Sequence, residues 1–370
     1  MKVSQVLDAL DFIAPPYLKY GNDPTGLLIG DPEAEVTSLA VALDVTTAVV
    51  QAAKERQAQM IIAHHPLIYH PLKSLRMDAA FPAPVALECA RQSIAVACAH
   101  TNWDIAPGGV NDVLAHRLEL QDVRPLHITD REPLVKIAVY ITPEYHDVIF
   151  DAMSVAGAGE IASSKYDRCG FWSTGKGTFR ALPGATPFVG AVGRQETASE
   201  ERLEMICSEG RFPAVIAAMR KAHPYEEVAY DVYPLRNTGS EFGLGRVGVL
   251  PEAMTPDDFL RHVRKGLDYD AVRMGGPQTR MVKMVAVGGG ACAEFAPDAI
   301  AAGADAYVTS DVRHHEFVDA AERGLLLLDA GHSATETPGT EELARRLASS
   351  LPSLAVSFHA PDGDTRNEYA

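Results

Sequence analysis

The sequence predicts an α/β protein with a three-layer α/β core, formed by the N- and C-terminal segments, and an inserted α+β ferredoxin-like domain. In both outer segments, short apolar runs alternate with amphipathic stretches, which predicts βαβ units and a largely parallel sheet. The middle of the chain is instead close to a β-α-β-β-α-β module with an extended hairpin. A length of 370 residues suits roughly two domains.

The N-terminal segment opens with an amphipathic helix whose apolar positions include Val3, Val6 and Leu10. The elements predicted after it are a proline- and glycine-rich loop over 15–30, a strand over 38–44, a helix over 46–59, a strand over 60–63, a helix over 84–92, a strand over 94–99 and one more helix. Thr46 or Thr47 can cap the second helix, because a hydroxyl oxygen accepts a hydrogen bond from the first helical turn.

The pattern changes near Leu126, and residues 127–238 are predicted to be the inserted domain. Its elements are a strand over 135–141, a helix over 143–156, strands over 166–172, 175–180 and 202–207, a helix over 212–222 and a strand over 228–235. The α/β pattern then resumes, so that residues 1–126 and 239–370 form the core. The later core elements are a helix over 255–267, strands over 282–287, 306–309, 325–329 and 354–358, and helices over 297–302, after 315 and over 341–350. Each outer segment has histidines after its strands, which makes the two segments candidates for pseudo-repeats.

Composition and charge limit the class of protein. With 47% hydrophobic and 22% charged residues the chain is typical of a soluble globular protein, and no apolar run approaches the length of a membrane span. Asp8 and Asp11 interrupt the apolar pattern at the N-terminus, so no signal peptide is predicted. Five cysteines without a CxxC pair indicate reduced thiols in a cytoplasmic protein. A net charge of −16 argues against a nucleic acid or an anionic membrane as partner.

Histidines and carboxylates follow four of the predicted strands. The four groups are His64 with His65, His100 with Asp104, Asp311 with His314 and His315, and His332 with Glu336. In open α/β sheets, ligands bind at the carboxyl ends of the strands, where these residues are predicted to lie. The spacings His100-x3-Asp104 and His332-x3-Glu336 place each pair one turn apart if the segment is helical.

Imidazole and carboxylate ligands suit zinc, iron, manganese or nickel better than calcium, and the absence of thiols in these groups disfavours a structural zinc site. Two metal ions about 3.5–4 Å apart need bridging carboxylates, and such sites stabilise an attacking hydroxide and a developing oxyanion. Asp104 and Glu336 are the natural bridges. The sequence therefore favours a catalytic metal site at these strand ends.

Structural roles compete with this interpretation at several positions. Asp104 can form an Asx turn before Pro107 and Gly108. Asp311 can cap the helix that carries His314 and His315, which would leave both histidines on the surface. The histidines without clustered partners are predicted to be structural: His70, His116, His127, His146, His262 and His359.

Two glycine-rich strings are further candidates for ligand contacts. Residues 243–248 match G-x-G-x-x-G, but no strand precedes them and no helix starts within them, so the dinucleotide-binding context is missing. Gly288, Gly289 and Gly290 follow a strand and precede a helix. They can approach a ligand phosphate or simply form a tight strand-to-helix turn, and the turn is the favoured interpretation.

In combination these motifs resemble a known family, the Nif-three-like dinuclear-metal proteins, often named GTP cyclohydrolase I type two-like. The strings that carry the resemblance are Ala63-His64-His65-Pro66, His100-Thr101-Asn102-Trp103-Asp104, Gly108-Gly109-Val110-Asn111-Asp112, Gly243-Leu244-Gly245-Arg246-Val247-Gly248, Ala304-Asp305-Ala306-Tyr307-Val308-Thr309-Ser310-Asp311 and His332-Ser333-Ala334-Thr335-Glu336. The inserted segment resembles small trimeric signalling or metal-tolerance proteins, and His223-Pro224-Tyr225-Glu226 is similar to a string of that domain.

The resemblance implies a toroidal homohexamer with a two-metal site in each subunit. The ligands that it implies are His64, His65, Asp104, His332 and Glu336, with Glu336 and Asp104 bridging. It places His100 beside the metals as an acid or base, and it moves Asp311, His314 and His315 to the rim. The chain departs from the family pattern at Asn22-Asp23-Pro24-Thr25-Gly26-Leu27 and at Gly288-Gly289-Gly290-Ala291, which lacks a serine.

The function expected from residues and resemblance together is a metal-dependent hydrolase acting on a nucleotide-like ring or a phosphoester. Its expected cofactors are two divalent ions per subunit, of zinc, iron or manganese, and its expected partner is a small molecule, with a nucleotide as one candidate. The alternative is a regulatory protein that binds metal or ligand without turnover, which the inserted domain's resemblance to signalling modules favours.

Overall fold

The computed structural model describes residues 1–160 and 165–360. Residues 161–164 and 361–370, which fall in the predicted inserted and core domains, lie outside the described residues. The strands within the described part are β1 (Gly26–Ile29), β2 (Ser38–Ala42), β3 (Met60–Ala63), β4 (Ala95–Cys98), β5 (Gln121–Ile141), β6 (Gly170–Arg180), β7 (Gln195–Ser208), β8 (Tyr230–Met254), β9 (Arg273–Gly275), β10 (Val282–Val287), β11 (Ala306–Thr309), β12 (Leu326–Asp329) and β13 (Ala355–His359).

The α-helices in the same part of the chain are α1 (Val3–Ile13), α2 (Thr47–Glu55), α3 (Ala83–Arg91), α4 (Thr101–Ile105), α5 (Val110–Arg117), α6 (His146–Val155), α7 (Phe212–Ala222), α8 (Pro256–Leu267), α9 (Ala296–Ala301), α10 (His314–Glu322) and α11 (His332–Ser350). Thr46 caps α2 by accepting a hydrogen bond from the backbone N–H of Val49, as predicted. None of these helices combines the length and the apolarity that a bilayer span requires.

The chain divides into two compact units. The core unit contains Met1–Thr129 and the chain from Phe242 onward, and the inserted unit is Asp130–Glu241. The predicted domain division, with an inserted domain over 127–238, stays a prediction.

The core unit contains two sheets. The first has the strand order β1-β4-β3-β2-β13, in which β1 is antiparallel to β4 and the other neighbours are parallel. In the second, the core strands follow the order β8-β10-β11-β12-β9, with a parallel centre and antiparallel β8 and β9. The α/β class is confirmed, and the parallel strands that were expected lie in two sheets, each of which also contains an antiparallel strand. Alternation of strands and helices shows where strands lie and does not show which of them pair.

The two halves of the core unit repeat one arrangement. The N-terminal half runs α1-β1-β2-α2-β3-α3-β4-α4, and the C-terminal half runs α8-β9-β10-α9-β11-α10-β12-α11. Their strand orders correspond as well, since β1-β4-β3-β2 in one sheet matches β9-β12-β11-β10 in the other. The structure therefore supports the pseudo-repeats that the histidine pattern suggested.

Burial on both faces explains why the central strands are continuous apolar runs. Every residue of β3 and of β11 is buried, and such strands are typical of sheets covered by helices on both sides. The edge strands β1 and β9 were not predicted, because β1 is only partly buried and lies in a loop-like stretch of prolines and glycines.

The inserted unit has the ferredoxin-like order β6-β7-β5-β8, with α6 after β5 and α7 after β7. Its core is formed by apolar residues of β5, β7, α6 and α7. Strand β6 pairs with β7 from Gly170 opposite Met205 to Arg180 opposite Gln195, which forms the extended hairpin. The strands predicted separately over 166–172 and 175–180 form a single strand, β6.

Candidate metal centre

The candidate site lies at the carboxyl ends of strands from both sheets of the core unit. His64 and His65 follow β3, and His100 follows β4 at the start of α4, which carries Asp104. His332 follows β12 and begins α11. Ligands of open α/β sheets bind at such strand ends.

Helix α11 places two of the candidate ligands on one face. It begins at His332, nine residues earlier than the predicted start, and it includes Pro338. His332 and Glu336 are therefore one helical turn apart, with His332 Nε2 3.0 Å from Glu336 Oε2. Gly331 precedes the helix with φ +78°, and a Cβ there would lie 2.9 Å from the ring of Tyr269. The turn into α11 thus requires glycine.

One cluster of donor atoms is formed by His65, His332 and Glu336. Nε2 of His65 lies 2.9 Å from Oε2 of Glu336, and the two Nε2 atoms of His65 and His332 are 3.2 Å apart. Donors that share a transition-metal ion at about 2.1 Å are separated from one another by roughly 3.0–3.4 Å. The three donors therefore have the spacing of ligands to one ion.

A second cluster is formed by His64, Asp104 and Glu336. Nε2 of His64 lies 3.5 Å from Oδ1 of Asp104 and 3.7 Å from Oε1 of Glu336. All three residues are buried. Glu336 takes part in both clusters with different oxygens, which is the geometry of a bridging carboxylate.

Unpaired polar atoms in the clusters test whether a cation fits. Among the described residues, His64 Nε2, Asp104 Oδ1 and Glu336 Oε2 are buried and have no partner with hydrogen-bond geometry. Each such atom costs roughly 1–3 kcal/mol when it is left unsatisfied. Cations in the two clusters would satisfy all three, because Glu336 Oε2 belongs to the first cluster and the other two atoms to the second. Imidazole with carboxylate suits transition metals. The residues present fit a metal site.

Carboxylates hold two of the histidines in the orientation that metal binding needs. Nδ1 of His65 lies 2.8 Å from Asp44, and Nδ1 of His332 lies 2.7 Å from Asp311. A hydrogen bond at Nδ1 fixes the tautomer with a lone pair on Nε2, and Nε2 is the atom that faces the cluster. Asp44, which was not predicted as a site residue, follows β2 at the same edge of the sheet.

A hydrogen bond at Nδ1 also fixes the orientation of the imidazoles of His64 and His100. Nδ1 of His64 lies 2.9 Å from the backbone oxygen of Ala99. Nδ1 of His100 lies 2.8 and 2.9 Å from the two oxygens of Asp23, which also accepts from the hydroxyl of Thr101 at 2.7 Å. The rings of His64 and His100 are 5.3 Å apart. The sequence pointed to Asp23 only as part of a departure from the family pattern.

The charge balance of the clusters depends on Glu336 and two histidines. Burial by itself would raise the pKa of Glu336, but the positive charges of His65 and His332 hold that pKa well below its ordinary value. Burial would lower the pKa of each imidazole, but the charge of Glu336 raises the pKa of His65 to about 10 and that of His332 to about 11. For Asp104, burial and then the charge of Glu336 raise the pKa to about 7. Both clusters thus hold protons that a bound cation would displace.

The third predicted group of histidines lies outside the two clusters. His314 and His315 begin α10 and are exposed. Asp311 does not cap this helix, because Arg313 occupies the N-cap position and Asp311 bonds to His332 instead. The alternative in which Asp311 caps α10 is therefore wrong, although the surface position that it implied for both histidines is correct.

The three consecutive glycines close over the clusters. Gly290 has φ +67°, and a Cβ there would lie 2.0 Å from Oε1 of Glu336. The backbone N–H of Gly289 donates to Asn111, whose side-chain amide donates to the backbone oxygen of Asp104. This loop is therefore a tight strand-to-helix turn that packs directly on the carboxylate.

The G-x-G-x-x-G string has no nucleotide-loop geometry. It lies within β8, where the buried Arg246 pairs with Asp112 and donates to the backbone oxygens of Gly243 and Gly245. The strand-turn-helix context of a dinucleotide-binding loop is absent here, as predicted.

A cavity of about 560 Å³ opens over both clusters. Besides His100 and the candidate ligands other than His64, its walls include Tyr20, Tyr69, Glu294 and Phe295. The structure thus brings together His64, His65, His100, Asp104, His332 and Glu336 beside a space of small-molecule size.

Known proteins resemble this chain along nearly all of its length. A Bacillus subtilis protein named GTP cyclohydrolase 1 type 2 homolog is 43% identical over 346 residues, covering 93% of this chain and 91% of that protein. A Halalkalibacterium halodurans protein of the same name is 40% identical over 328 residues, covering 89% and 87%.

Solved structures and a family model agree with these relatives. The crystal structure of a Bacillus cereus protein related to NIF3 has a TM-score of 0.90 at 37% identity and covers 98% of each chain. A Staphylococcus aureus crystal structure has a TM-score of 0.73 at 27% identity, covering 98% of this chain and 97% of that one. The family model described as Duf34/NIF3 (NGG1p interacting factor 3) matches residues 1–365. These findings confirm the resemblance inferred from the motifs, and the chain belongs to the Duf34/NIF3 family.

Proposed function

We propose that the protein is a dinuclear-metal hydrolase. His65, His332 and Glu336 bind one divalent ion, His64, Asp104 and Glu336 bind the other, and zinc, iron or manganese suits both donor sets. The observation that carries the proposal is the buried Glu336, whose two oxygens face two separate sets of donors. Five side chains cannot saturate two ions, so coordination positions are left for water and substrate.

The chain's own residues orient the reactants and move protons. When bound, the ions supply Lewis-acid activation of water and of the atom under attack. Asp44 and Asp311 hold the imidazoles of His65 and His332 in their ligand orientation. His100 has its Nδ1 occupied by Asp23, so its Nε2 is the atom that can accept a proton from water and return it to the leaving group.

The relatives support a small-molecule substrate. They are named GTP cyclohydrolase 1 type 2 homolog, a name that contains a nucleotide. We propose the same substrate range as the sequence indicated, a nucleotide-like ring or a phosphoester. The proposal includes a homohexamer in the cytoplasm, and sedimentation of the purified protein tests the assembly.

Metal content tests the proposal most directly. Protein purified without chelator or added metal is analysed by elemental mass spectrometry, as wild type, as Glu336→Gln and as Glu341→Gln. Glu341 is exposed on the same helix and provides the control. We expect about two transition-metal ions per chain in wild type and control, and none in Glu336→Gln. Wild-type protein that takes up no iron, zinc or manganese on titration would contradict the proposal.

A regulatory protein without turnover is the second candidate. The inserted unit has the ferredoxin-like strand order, and the resemblance of its sequence to small signalling proteins favours this candidate. Turnover distinguishes the two candidates. A ligand that binds the metal-loaded protein and is recovered unchanged supports regulation, and a hydrolysed product supports the enzyme.

A further inference from the structure

We infer that the cavity over the metal clusters binds an uncharged planar heteroaromatic ring, of the nucleobase or nucleoside class, and does not recognise a polyphosphate. The inference rests on the proposed function, because it names the substrate class of the same site. Of the two substrate classes in that proposal, it keeps the nucleotide-like ring and excludes the phosphoester.

The walls of the cavity favour a flat ring. Tyr20 and Phe295 form an edge-to-face pair with ring centroids 6.4 Å apart, and Tyr69 lies at 90° to His100 with centroids 6.5 Å apart. Tyr20 and Tyr69 are 43% and 57% exposed, so much of their aromatic surface is available to a ligand. Stacking of a base on one aromatic side chain typically changes affinity about 5- to 150-fold. A volume of about 560 Å³ accommodates a nucleoside.

The charges around the cavity disfavour a polyphosphate. Its lining contains Asp104, Glu294 and Glu336, and none of the described residues that line it is a lysine or an arginine. Asp23, Asp44 and Asp311 lie directly behind the histidines. These six carboxylates outnumber the four positive charges that two divalent ions would bring. Apart from metal ions, phosphate sites in proteins use arginine, lysine or free backbone N–H groups, and the described lining contains neither of these two side chains.

The ligand should therefore bind through its ring and not through its phosphates. The heteroaromatic ring enters the cavity between the aromatic side chains, and any phosphate on the ligand extends into solvent. A nucleoside triphosphate should therefore bind no more tightly than its nucleoside, and inorganic triphosphate should not bind.

Calorimetric titration of the metal-loaded protein tests this. The ligands are adenosine, guanosine, cytidine, uridine, GTP and inorganic tripolyphosphate, the last two supplied as magnesium complexes so that they do not remove metal. We expect at least one nucleoside to bind, GTP to bind no more tightly than guanosine, and tripolyphosphate to give no binding. Binding of tripolyphosphate, tighter binding of GTP than of guanosine, or no binding of any nucleoside would each overturn the inference.

Matched variants locate the binding. Tyr20→Leu and Tyr69→Leu should each weaken nucleoside binding about tenfold or more. Phe12→Leu, which changes an aromatic residue that is 86% exposed on α1, should leave the affinity unchanged. Equal affinity in all three variants would contradict the stacking role.

A charge variant separates ring from phosphate recognition. Glu294→Gln removes one negative charge from the exposed part of the lining, so the ratio of GTP affinity to guanosine affinity should rise a few-fold at low salt. Glu322→Gln, an exposed glutamate of α10, is the control. A Glu294→Gln variant that weakens GTP binding would contradict the charge argument.

Metal content measured on the same samples keeps this inference distinct from the proposed function. Protein that holds about two metal ions per chain but binds no nucleoside disproves the ring assignment and leaves the metal centre intact. Protein that holds no metal disproves the proposed function.

Discussion

The two halves of the core unit carry the same His-x3-carboxylate motif at corresponding positions and use it differently. His100 and Asp104 follow β4, and His332 and Glu336 follow β12, each strand lying beside the antiparallel edge strand of its sheet. In the C-terminal half, His332 and Glu336 belong to the same cluster. In the N-terminal half, Asp104 joins His64 and Glu336, while Nδ1 of His100 is held by Asp23.

Side-chain length and neighbours account for the difference. Glu336 has one more methylene than Asp104, and its two oxygens reach both clusters. Two protonated histidines hold the pKa of Glu336 low, whereas burial and the charge of Glu336 raise the pKa of Asp104 to about 7. The same motif on two equivalent helices therefore acquires opposite electrostatic properties, which the spacing alone does not show.

The comparison predicts unequal effects of removing the two carboxylates. Asp104→Asn should leave about one metal ion per chain, because His65, His332 and Glu336 remain as one donor set. Glu336→Gln should leave none, because it removes a donor from both sets. Elemental mass spectrometry of the two variants measures this. Loss of both ions in Asp104→Asn would show that Asp104 also supports the first cluster.

A glycine substitution should empty the centre without changing any ligand. Gly290→Ala places a Cβ 2.0 Å from Oε1 of Glu336, so we expect metal affinity to fall about 100-fold. The matched control is Gly303→Ala. Gly303 also has a positive φ, of +81°, but its nearest neighbour would be Met284 Sδ at 3.8 Å. Both variants share a backbone cost of about 1–2 kcal/mol, measurable by thermal unfolding. Equal metal affinity in the two variants would contradict the role assigned to Gly290.

The sequence was most informative where burial produces a local pattern. The central strands over 60–63, 282–287 and 306–309 were predicted with the observed bounds, because their residues are mostly buried and their apolar runs are continuous. The candidate ligands follow such strands, so the end of each run drew attention to them. Their assignment as ligands stays a prediction.

What the sequence did not reveal depends on contacts between distant segments. Asp44 and Asp23 were not predicted as site residues, because each hydrogen-bonds to a histidine that lies 21 or 77 residues away. The start of α11 was also misplaced. Residues 332–340 contain serine, threonines, proline and glycine, which disfavour a helix, but tertiary burial of Glu336, Gly339 and Thr340 stabilises one there.

The two supporting aspartates should differ in their effect on metal binding. Asp311 holds a ligand of the C-terminal half, so Asp311→Asn should weaken metal binding about tenfold. Asp23 holds His100, which belongs to neither donor set in our assignment, so Asp23→Asn should change metal affinity less than about threefold. Competition with a chromogenic chelator measures both affinities. A loss in Asp23→Asn as large as that in Asp311→Asn would make His100 a metal ligand.

The raised pKa values predict that metal uptake is coupled to proton release. The pKa values of His65 and His332, about 10 and 11, keep both imidazoles protonated near neutral pH unless a metal ion binds. Metal binding at pH 7 should then release about two protons per chain. Titration calorimetry in two buffers of different ionisation enthalpy measures the number. Binding without proton release would show that both histidines are already neutral.

The sign of the pH dependence follows from the same shifts. A histidine whose pKa is raised on folding stabilises the protein below its unfolded pKa of about 6.5. That contribution is lost as pH rises towards about 10 for His65 and about 11 for His332. For Asp104, stability is likewise lost as pH rises from about 3.8, the ordinary pKa of an aspartate, to about 7, because the folded state holds that proton more tightly. Chelator-treated protein should therefore lose thermal stability with rising pH over this range.

Metal-loaded protein should lose less, because cations replace the protons, and the difference between the two melting temperatures should increase with pH. A difference in melting temperature that decreases as pH rises would mean that metal binding does not displace these protons. The opposite pKa shifts of Glu336 and Asp104 would then have no role in metal binding.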